Sequence, residues 1–245
     1  MNLVIDFGNT RCKFYFFDGG RLTDTKIFEH NASDFIEKVL TIVNKSKIDH
    51  AIVSSVGNIP EKLTSLLSER YSIITLNSST SVPISNSYSN PSQLGNDRLA
   101  AAVGASVMFP NRDCLVVDAG TAITYEFIEG GKNYLGGCIS PGLSLRFAAL
   151  HEHTAKLPLL QPKPISDNIP TDTQNAINNG VINGVIAEIM WQISYAQQKL
   201  NNPALILTGG DTFFLAEKLK NTIFAEPNLV AIGLNRILEY NVKQN

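Results

Sequence analysis

Leu3-Val4-Ile5-Asp6-Phe7-Gly8-Asn9-Thr10 recurs about half a chain later as Leu115-Val116-Val117-Asp118-Ala119-Gly120-Thr121. Each copy is an apolar run that ends in Asp-x-Gly. Each continues into a second apolar run, Lys13 to Phe17 and Thr124 to Ile128, and closes on an acidic residue and a glycine pair, Asp18-Gly19-Gly20 and Glu129-Gly130-Gly131. Both therefore read as strand, tight loop, strand, turn. The first loop is one residue longer, because Asn9 has no counterpart. An internal repeat of this kind predicts two structurally related halves.

Around the repeats, strands alternate with helices. Asp34 followed by Glu37 resembles a capping box, and Phe35, Val39, Ile42 and Val43 keep helical spacing. Ala51 to Ser54 and Ser72 to Leu76 read as short buried strands, with a helix over Glu61 to Glu69 between them. Ser78 to Pro91 is rich in Ser, Asn and Pro and reads as loop. Arg98 to Phe109 is an Ala-rich helix. In the second half, Ile177, Val181, Val185, Ile189 and Ile193 mark a long helix over Ala176 to Leu200, and Ala204 to Thr208 is a buried strand running into Gly209-Gly210-Asp211. The expected fold class is α/β. An N-terminal half over residues 1–113 is expected to carry the first hairpin, and a C-terminal half over residues 114–245 the second.

Composition narrows the function. The 245 residues, 44% of them hydrophobic, suffice for a large core. Net charge is -2 and there is no run of Lys or Arg, so nucleic-acid binding is not expected. No apolar stretch reaches the ~18 residues of a membrane span. Met1 to Asp6 leads straight into a strand with no signal-peptide pattern. Cys12, Cys114 and Cys138 are expected to be buried, reduced core thiols. These features point to a soluble, cytoplasmic protein.

The chemistry of the hairpins is phosphate chemistry. A phosphate needs backbone N–H groups, room to approach and hydroxyl donors. Gly8 and Gly120 provide the room, and Thr10 and Thr121 the hydroxyls. Lys13 adds a cation near phosphates as they transfer. Asp6 and Asp118 end strands, where a carboxylate can hold a hydrated metal ion facing the phosphates. One such hairpin would be an ordinary turn; two at matching places point to ATP-dependent phosphoryl transfer. The P-loop, the Gly-x-Gly-x-x-Gly fingerprint and the kinase His-Arg-Asp loop are all missing.

The paired hairpins resemble those of the acetate and sugar kinase, heat-shock protein and actin superfamily. Within it the chain is similar to the type III pantothenate kinases. The motifs that carry the likeness are Asp6 to Lys13, Ser54-Ser-Val56, Tyr88 to Arg98, Asp118 to Thr124, Gly136-Gly-Cys-Ile-Ser-Pro-Gly142, Thr154-Ala-Lys-Leu-Pro158 and Leu207-Thr-Gly-Gly-Asp211. The resemblance implies two ribonuclease H-like halves, each a mixed sheet with flanking helices, with an active-site cleft between them. It implies phosphorylation of pantothenate by ATP, the first step of coenzyme A synthesis. ATP would meet Asp6, Phe7, Gly8, Asn9, Thr10, Arg11, Cys12, Lys13 and Thr121. Pantothenate would meet Tyr88, Gly95, Asn96, Asp97, Arg98 and Thr173, with Asp97 as proton acceptor. Asp118 would hold a monovalent cation, potassium or ammonium, alongside the magnesium that comes with ATP. The resemblance also implies a homodimer.

Several of these residues have a structural reading too. Asp97 could cap the following helix, Thr173 could cap the long one, and Arg98 could be a solvated charge or a planar fork for a substrate carboxylate. Tyr88 could cover an aliphatic substrate or pack in its loop. Gly209-Gly210-Asp211 suits either close approach to adenosine or a turn with an Asp cap. Gly180 and Gly184 could serve packing within the chain or between subunits. His151 and His153 read as surface histidines. Two rival functions remain: a regulatory protein on the same scaffold, as transcriptional accessory factors among the relatives suggest, and a kinase for another small hydroxylated substrate.

Overall fold

The two apolar runs become central strands because both of their faces are covered, which is why they read as near-continuous hydrophobic stretches rather than alternating ones. The computed structural model describes residues 1–8, 11–29, 33–45, 47–55, 60–165, 168–219 and 223–243. Asn9, Thr10 and Val56, which belong to the motifs, lie outside them. In chain order the elements are β1 (Asn2–Phe7), β2 (Arg11–Asp18), β3 (Arg21–Glu29), α1 (Phe35–Lys45), β4 (His50–Ser55), α2 (Glu61–Ser68), β5 (Ser72–Thr75), β6 (Ser85–Asn86), α3 (Asn96–Met108), β7 (Cys114–Ala119), β8 (Ala122–Glu129), β9 (Asn133–Pro141), α4 (Leu143–Glu152), α5 (Thr173–Lys199), β10 (Ala204–Thr208), α6 (Thr212–Ala216), β11 (Phe224–Ala225) and α7 (Leu229–Val242).

The chain forms two compact units. The first comprises Met1–Pro110, Lys132–Tyr134 and Leu229–Asn245, the second Asn111–Gly131 and Leu135–Asn228. The first holds a five-stranded sheet in the order β3-β2-β1-β4-β5. β1 pairs antiparallel with β2 and parallel with β4. Leu3, Ile5 and Phe7 point to one face, where Phe35, Val39 and Val43 of α1 and Leu63 and Leu67 of α2 cover them. Val4, also fully buried, points to the opposite face by strand alternation. α7 packs against β1, β4 and α3.

The second unit repeats this plan. Its strands run β9-β8-β7-β10-β11, with β7 antiparallel to β8 and parallel to β10. Leu115, Val117 and Ala119 of β7 and Ile123, Tyr125 and Phe127 of β8 pack with Ile177, Val181, Val185, Ile189 and Ile193 of α5. The repeat seen as a hairpin in the sequence thus extends to five strands in matching order. α5 is 27 residues long, and no helix of the described residues is long and apolar enough to cross a membrane.

Three expectations are adjusted. Cys12 and Cys114 are buried, but Cys138 is exposed, because β9 leaves most of its later residues open to solvent. The Ser/Asn/Pro loop contains the short strand β6, which pairs with Asn133 and Tyr134. The long helix is capped by Asp172, whose side chain accepts from the Asn175 N–H at 2.9 Å; Thr173 is its first residue and not its cap.

Helices α3 and α7 meet at unusually short range. A Cβ on Gly233 would lie 1.8 Å from the backbone oxygen of Ala100. Gly233→Ala is therefore expected to destabilise the first unit by about 1–3 kcal/mol, read as a lower denaturant midpoint in urea unfolding of the ligand-free protein.

Candidate active site

In the first unit, strand register collects the charged groups. β1 stays apolar through Ile5, so the first residue able to carry charge is Asp6, near the strand end. Pairing places it opposite Lys13 on β2 and beside Ser54 on β4. Ser54 is buried, and the hairpin closes with Gly8 N–H donating to Arg11 O at 3.0 Å. Phe7 and Cys12 turn their side chains into the core, so only their backbone is available to a ligand. Burial pushes the Asp6 carboxyl above the usual carboxylate range; Lys13 counteracts this, and the charge of Asp97 pushes it further up. Asp97 thus acts electrostatically on Asp6, although 90 residues separate them in sequence.

Asp97 lies in the first turn of α3, where Gly95 is the cap residue. Its Oδ1 accepts from the Arg98 N–H at 2.9 Å, and Asn96 donates its side-chain amide to Leu76 O at 3.0 Å. Asp97 therefore sits in the first helical turn and is not the cap. Gly95 and Asn96 line a cavity of about 480 Å³ with Ser55, Asn77, Ser92 and Gln93.

Arg98 is 5% exposed, so it is not a solvated charge. Its Nη1 donates to the Tyr88 hydroxyl at 3.4 Å and its Nη2 to the Tyr134 hydroxyl at 3.1 Å. The guanidinium carbon lies 5.7 Å from the centre of the Tyr88 ring, and the two tyrosines stack at 6.3 Å and 17°. Tyr88 is thus engaged with Arg98 rather than with loop residues alone. Sequence reasoning quoted Ser54 in a motif without giving it a role, and missed Tyr134, because a lone tyrosine carries no signal.

In the second unit the same register places Asp118 opposite Thr124 and beside Thr208. Thr124 is therefore the counterpart of Lys13, so this hairpin lacks the cation. Gly120 N–H donates to Ala122 O at 3.0 Å, one residue sooner than in the first hairpin. Thr121 is exposed at the tip, and its carbonyl accepts from Gly142 N–H at 3.0 Å. Gly209, at φ +94°, packs directly on the strand end: a Cβ there would lie 2.5 Å from Asp118 Oδ1 and 2.4 Å from Ala119 O. The Asp211 N–H donates to the same Ala119 carbonyl at 3.0 Å, and burial pushes the Asp211 carboxyl up. Asp211 stands at the start of α6 without making a side-chain cap bond. The Gly209-Gly210-Asp211 turn thus buttresses Asp118. No cluster of three or more His, Cys, Asp or Glu suited to a metal occurs among the described residues.

Thr173 sits elsewhere in this unit, lining a mostly apolar cavity of about 890 Å³ between α4 and α5 with Leu150, Leu157, Ile177, Val181 and Arg146. Beneath it Glu188 accepts from Tyr125 at 2.7 Å and from Arg146 at 2.5 Å, and also bonds Ser140. Burial pushes Glu188 up, but its bonds to Ser140, Arg146 and Tyr125 hold it below the usual range overall. His151 and His153 are exposed.

Two α/β units with the same strand order, each built on an Asp-x-Gly hairpin, make a fold that solved structures share. Component A of the (R)-2-hydroxyglutaryl-CoA dehydratase of Acidaminococcus fermentans shares it at TM-score 0.57 and 16% identity, covering 99% of this chain and 98% of that one. A Campylobacter jejuni protein described as a Baf family transcriptional activator is more similar, at TM-score 0.65 and 25% identity over 98% and 99% of the two chains. The chain belongs to the type III pantothenate kinase family, whose profile matches residues 2–194. A type III pantothenate kinase from Christiangramia forsetii is 40% identical over the whole of both chains, and one from Porphyromonas gingivalis 42% identical over 98% of this chain and 99% of its own.

A carboxylate raised by burial is a stability cost. Asp6 has its folded pKa above the unfolded value, so the folded state is favoured by protonation and penalised once pH exceeds the folded pKa. Asp6→Asn should therefore raise the melting temperature of the ligand-free protein at pH 7–8, with the advantage shrinking as pH falls toward about 4. The same change should abolish the shift in melting temperature produced by magnesium-ATP. Differential scanning fluorimetry across pH checks both.

Proposed function

We propose that this protein transfers the γ-phosphoryl group of ATP to the primary hydroxyl of pantothenate, the first step of coenzyme A synthesis. The observation that carries the reading, beside family membership, is the convergence of Asp6, Lys13 and Asp97 in one unit through pairing of β1 with β2 and the start of α3. The first hairpin, Asp6 to Lys13, and Thr121 bind ATP with its magnesium. Asp118 holds a potassium or ammonium ion. Gly95, Asn96, Asp97, Arg98, Tyr88 and Thr173 bind pantothenate, and Arg98 takes its carboxylate.

In the reaction the pantothenate hydroxyl oxygen bonds to the γ-phosphorus as the bond from that phosphorus to the β,γ-bridging oxygen breaks, and ADP leaves. The hydroxyl proton passes to Asp97. A loose transition state takes the proton late, so orienting the hydroxyl matters more than basicity. Lys13 offsets charge on the transferring group, and magnesium and a monovalent ion, when bound, would supply further charge stabilisation.

A coupled assay of ADP release tests the reading. Turnover should require pantothenate and should fall when potassium is replaced by sodium; absence of pantothenate-dependent ADP release would remove it. Asp97→Asn should lower kcat by about 10²–10⁴-fold while leaving ATP binding intact. A regulatory role on this scaffold is set aside, because Asp6, Lys13, Asp97, Arg98, Asp118 and Thr121 are all present.

The protein acts in the cytoplasm as a homodimer through α5. A Cβ on Gly180 would meet nothing within 4 Å, and one on Gly184 only the tip of Arg146 at 4.0 Å, so these glycines do not serve packing within the chain. Along the same helix Trp191 is 60% exposed and stacks on Tyr195. Gly184→Leu should therefore shift the protein toward monomer in light scattering without lowering its melting temperature; an unchanged oligomer of normal stability would exclude this face.

A further inference from the structure

Tyr134 is the one fully buried tyrosine in contact with Arg98, and it comes from outside the motif that carries that arginine. It lies near the start of β9, in the short Lys132–Tyr134 segment that belongs to the first unit. It is held there by its backbone: Asn86 of β6 pairs with it, and its carbonyl accepts from the Ser87 N–H at 2.9 Å. The next residue along is Tyr88, whose N–H donates to Asn86 Oδ1 at 2.9 Å. Tyr134 therefore anchors the short strand that leads into Tyr88, stacks on the Tyr88 ring and accepts from Arg98 Nη2 at 3.1 Å.

We infer that Tyr134 is a positioning residue for substrate recognition: with Tyr88 it clamps the Arg98 guanidinium at both terminal nitrogens and so sets the affinity for the carboxylate end of the substrate. This rests on the assignment of Arg98 to that carboxylate under the proposed function. Three points support it. A guanidinium is a planar fork whose donors lie in fixed directions, so anchoring two nitrogens fixes where the remaining N–H groups point. A phenol oxygen accepts from the cation without cancelling its charge, whereas a carboxylate would neutralise it and compete with an anionic substrate. A tyrosine buried to 0% exposure must satisfy its hydroxyl, and here Arg98 donates to it.

The test is a steady-state comparison of wild type and Tyr134→Phe with two substrates: pantothenate, and its alcohol analogue with a hydroxymethyl group in place of the carboxylate. Phenylalanine keeps the ring and its packing and removes only the acceptor. Loss of a hydrogen bond to a charged group is worth about tenfold or more. The expected result is a rise in KM for pantothenate of about that size, kcat within roughly twofold, and an unchanged KM for the alcohol. Adding Arg98→Lys should then make the double variant no worse than Arg98→Lys alone, because Tyr134 acts through Arg98. An unchanged KM for pantothenate overturns the inference, as do equal losses for both substrates or additive effects in the double variant. If Tyr134→Phe does not fold, Tyr88→Phe decides by the same comparison, since its hydroxyl holds the other nitrogen; equal losses for both substrates there overturn the clamp. Wild-type protein that turns over neither substrate would instead sink the proposed function, so the two failures are distinct.

Discussion

Both central strands must be apolar on both faces, because each sheet is covered on either side, and this one constraint places the chemistry. A strand so enclosed can carry charge only where the cover ends. In β1 that point is Asp6, and in β7 it is Asp118. The antiparallel partner supplies the residue opposite, Lys13 or Thr124, and the parallel partner supplies a buried hydroxyl, Ser54 or Thr208. The carboxylate, its neighbour and the open loop beyond are thus consequences of one burial pattern applied twice.

The two units then diverge by small changes. One fewer loop residue and one lost lysine leave the second hairpin without positive charge. A glycine pressed against its carboxylate gives it a backbone-lined setting in place of a charged one. Local strand pairing is shared, and the hairpins differ at the residue opposite the aspartate, Lys13 in one and Thr124 in the other.

The parts of this arrangement that could be read from sequence are those with a strong local signal. The repeat, the long helix α5 and the strands β4 and β10 announce themselves by periodicity or by unbroken apolar runs. β3 does not: Arg21-Leu-Thr-Asp-Thr-Lys-Ile-Phe-Glu29 lies at a sheet edge, is mostly solvent-accessible and carries charge throughout. Its pairing with β2 is a tertiary fact that propensity does not reveal. β9 was hidden because Asn133-Tyr-Leu-Gly-Gly-Cys-Ile-Ser-Pro141 shows neither alternation nor an unbroken apolar run, and Tyr134 with it. The site residues in motifs were visible, but their partners were not, since what holds Arg98 arrives from a strand 36 positions away. Burial of Asp6 by its own strand was implicit in the apolar run, whereas the influence of Asp97 on it required the fold.

Helix α7 has a consequence for how the protein comes into being. The first unit opens with β1 and is completed by residues that follow the entire second unit. On a ribosome, the second unit therefore has all of its strands and helices before the first can close the face of β1 and β4 that α7 covers. Until then that face, including Val4 and Ile52, stays open to water or to whatever else is apolar nearby. The unit translated first is thus the unit that matures last, and the closing step joins residues more than two hundred positions apart. Such long-range closure slows folding and makes docking of α7 the step that completes the first unit.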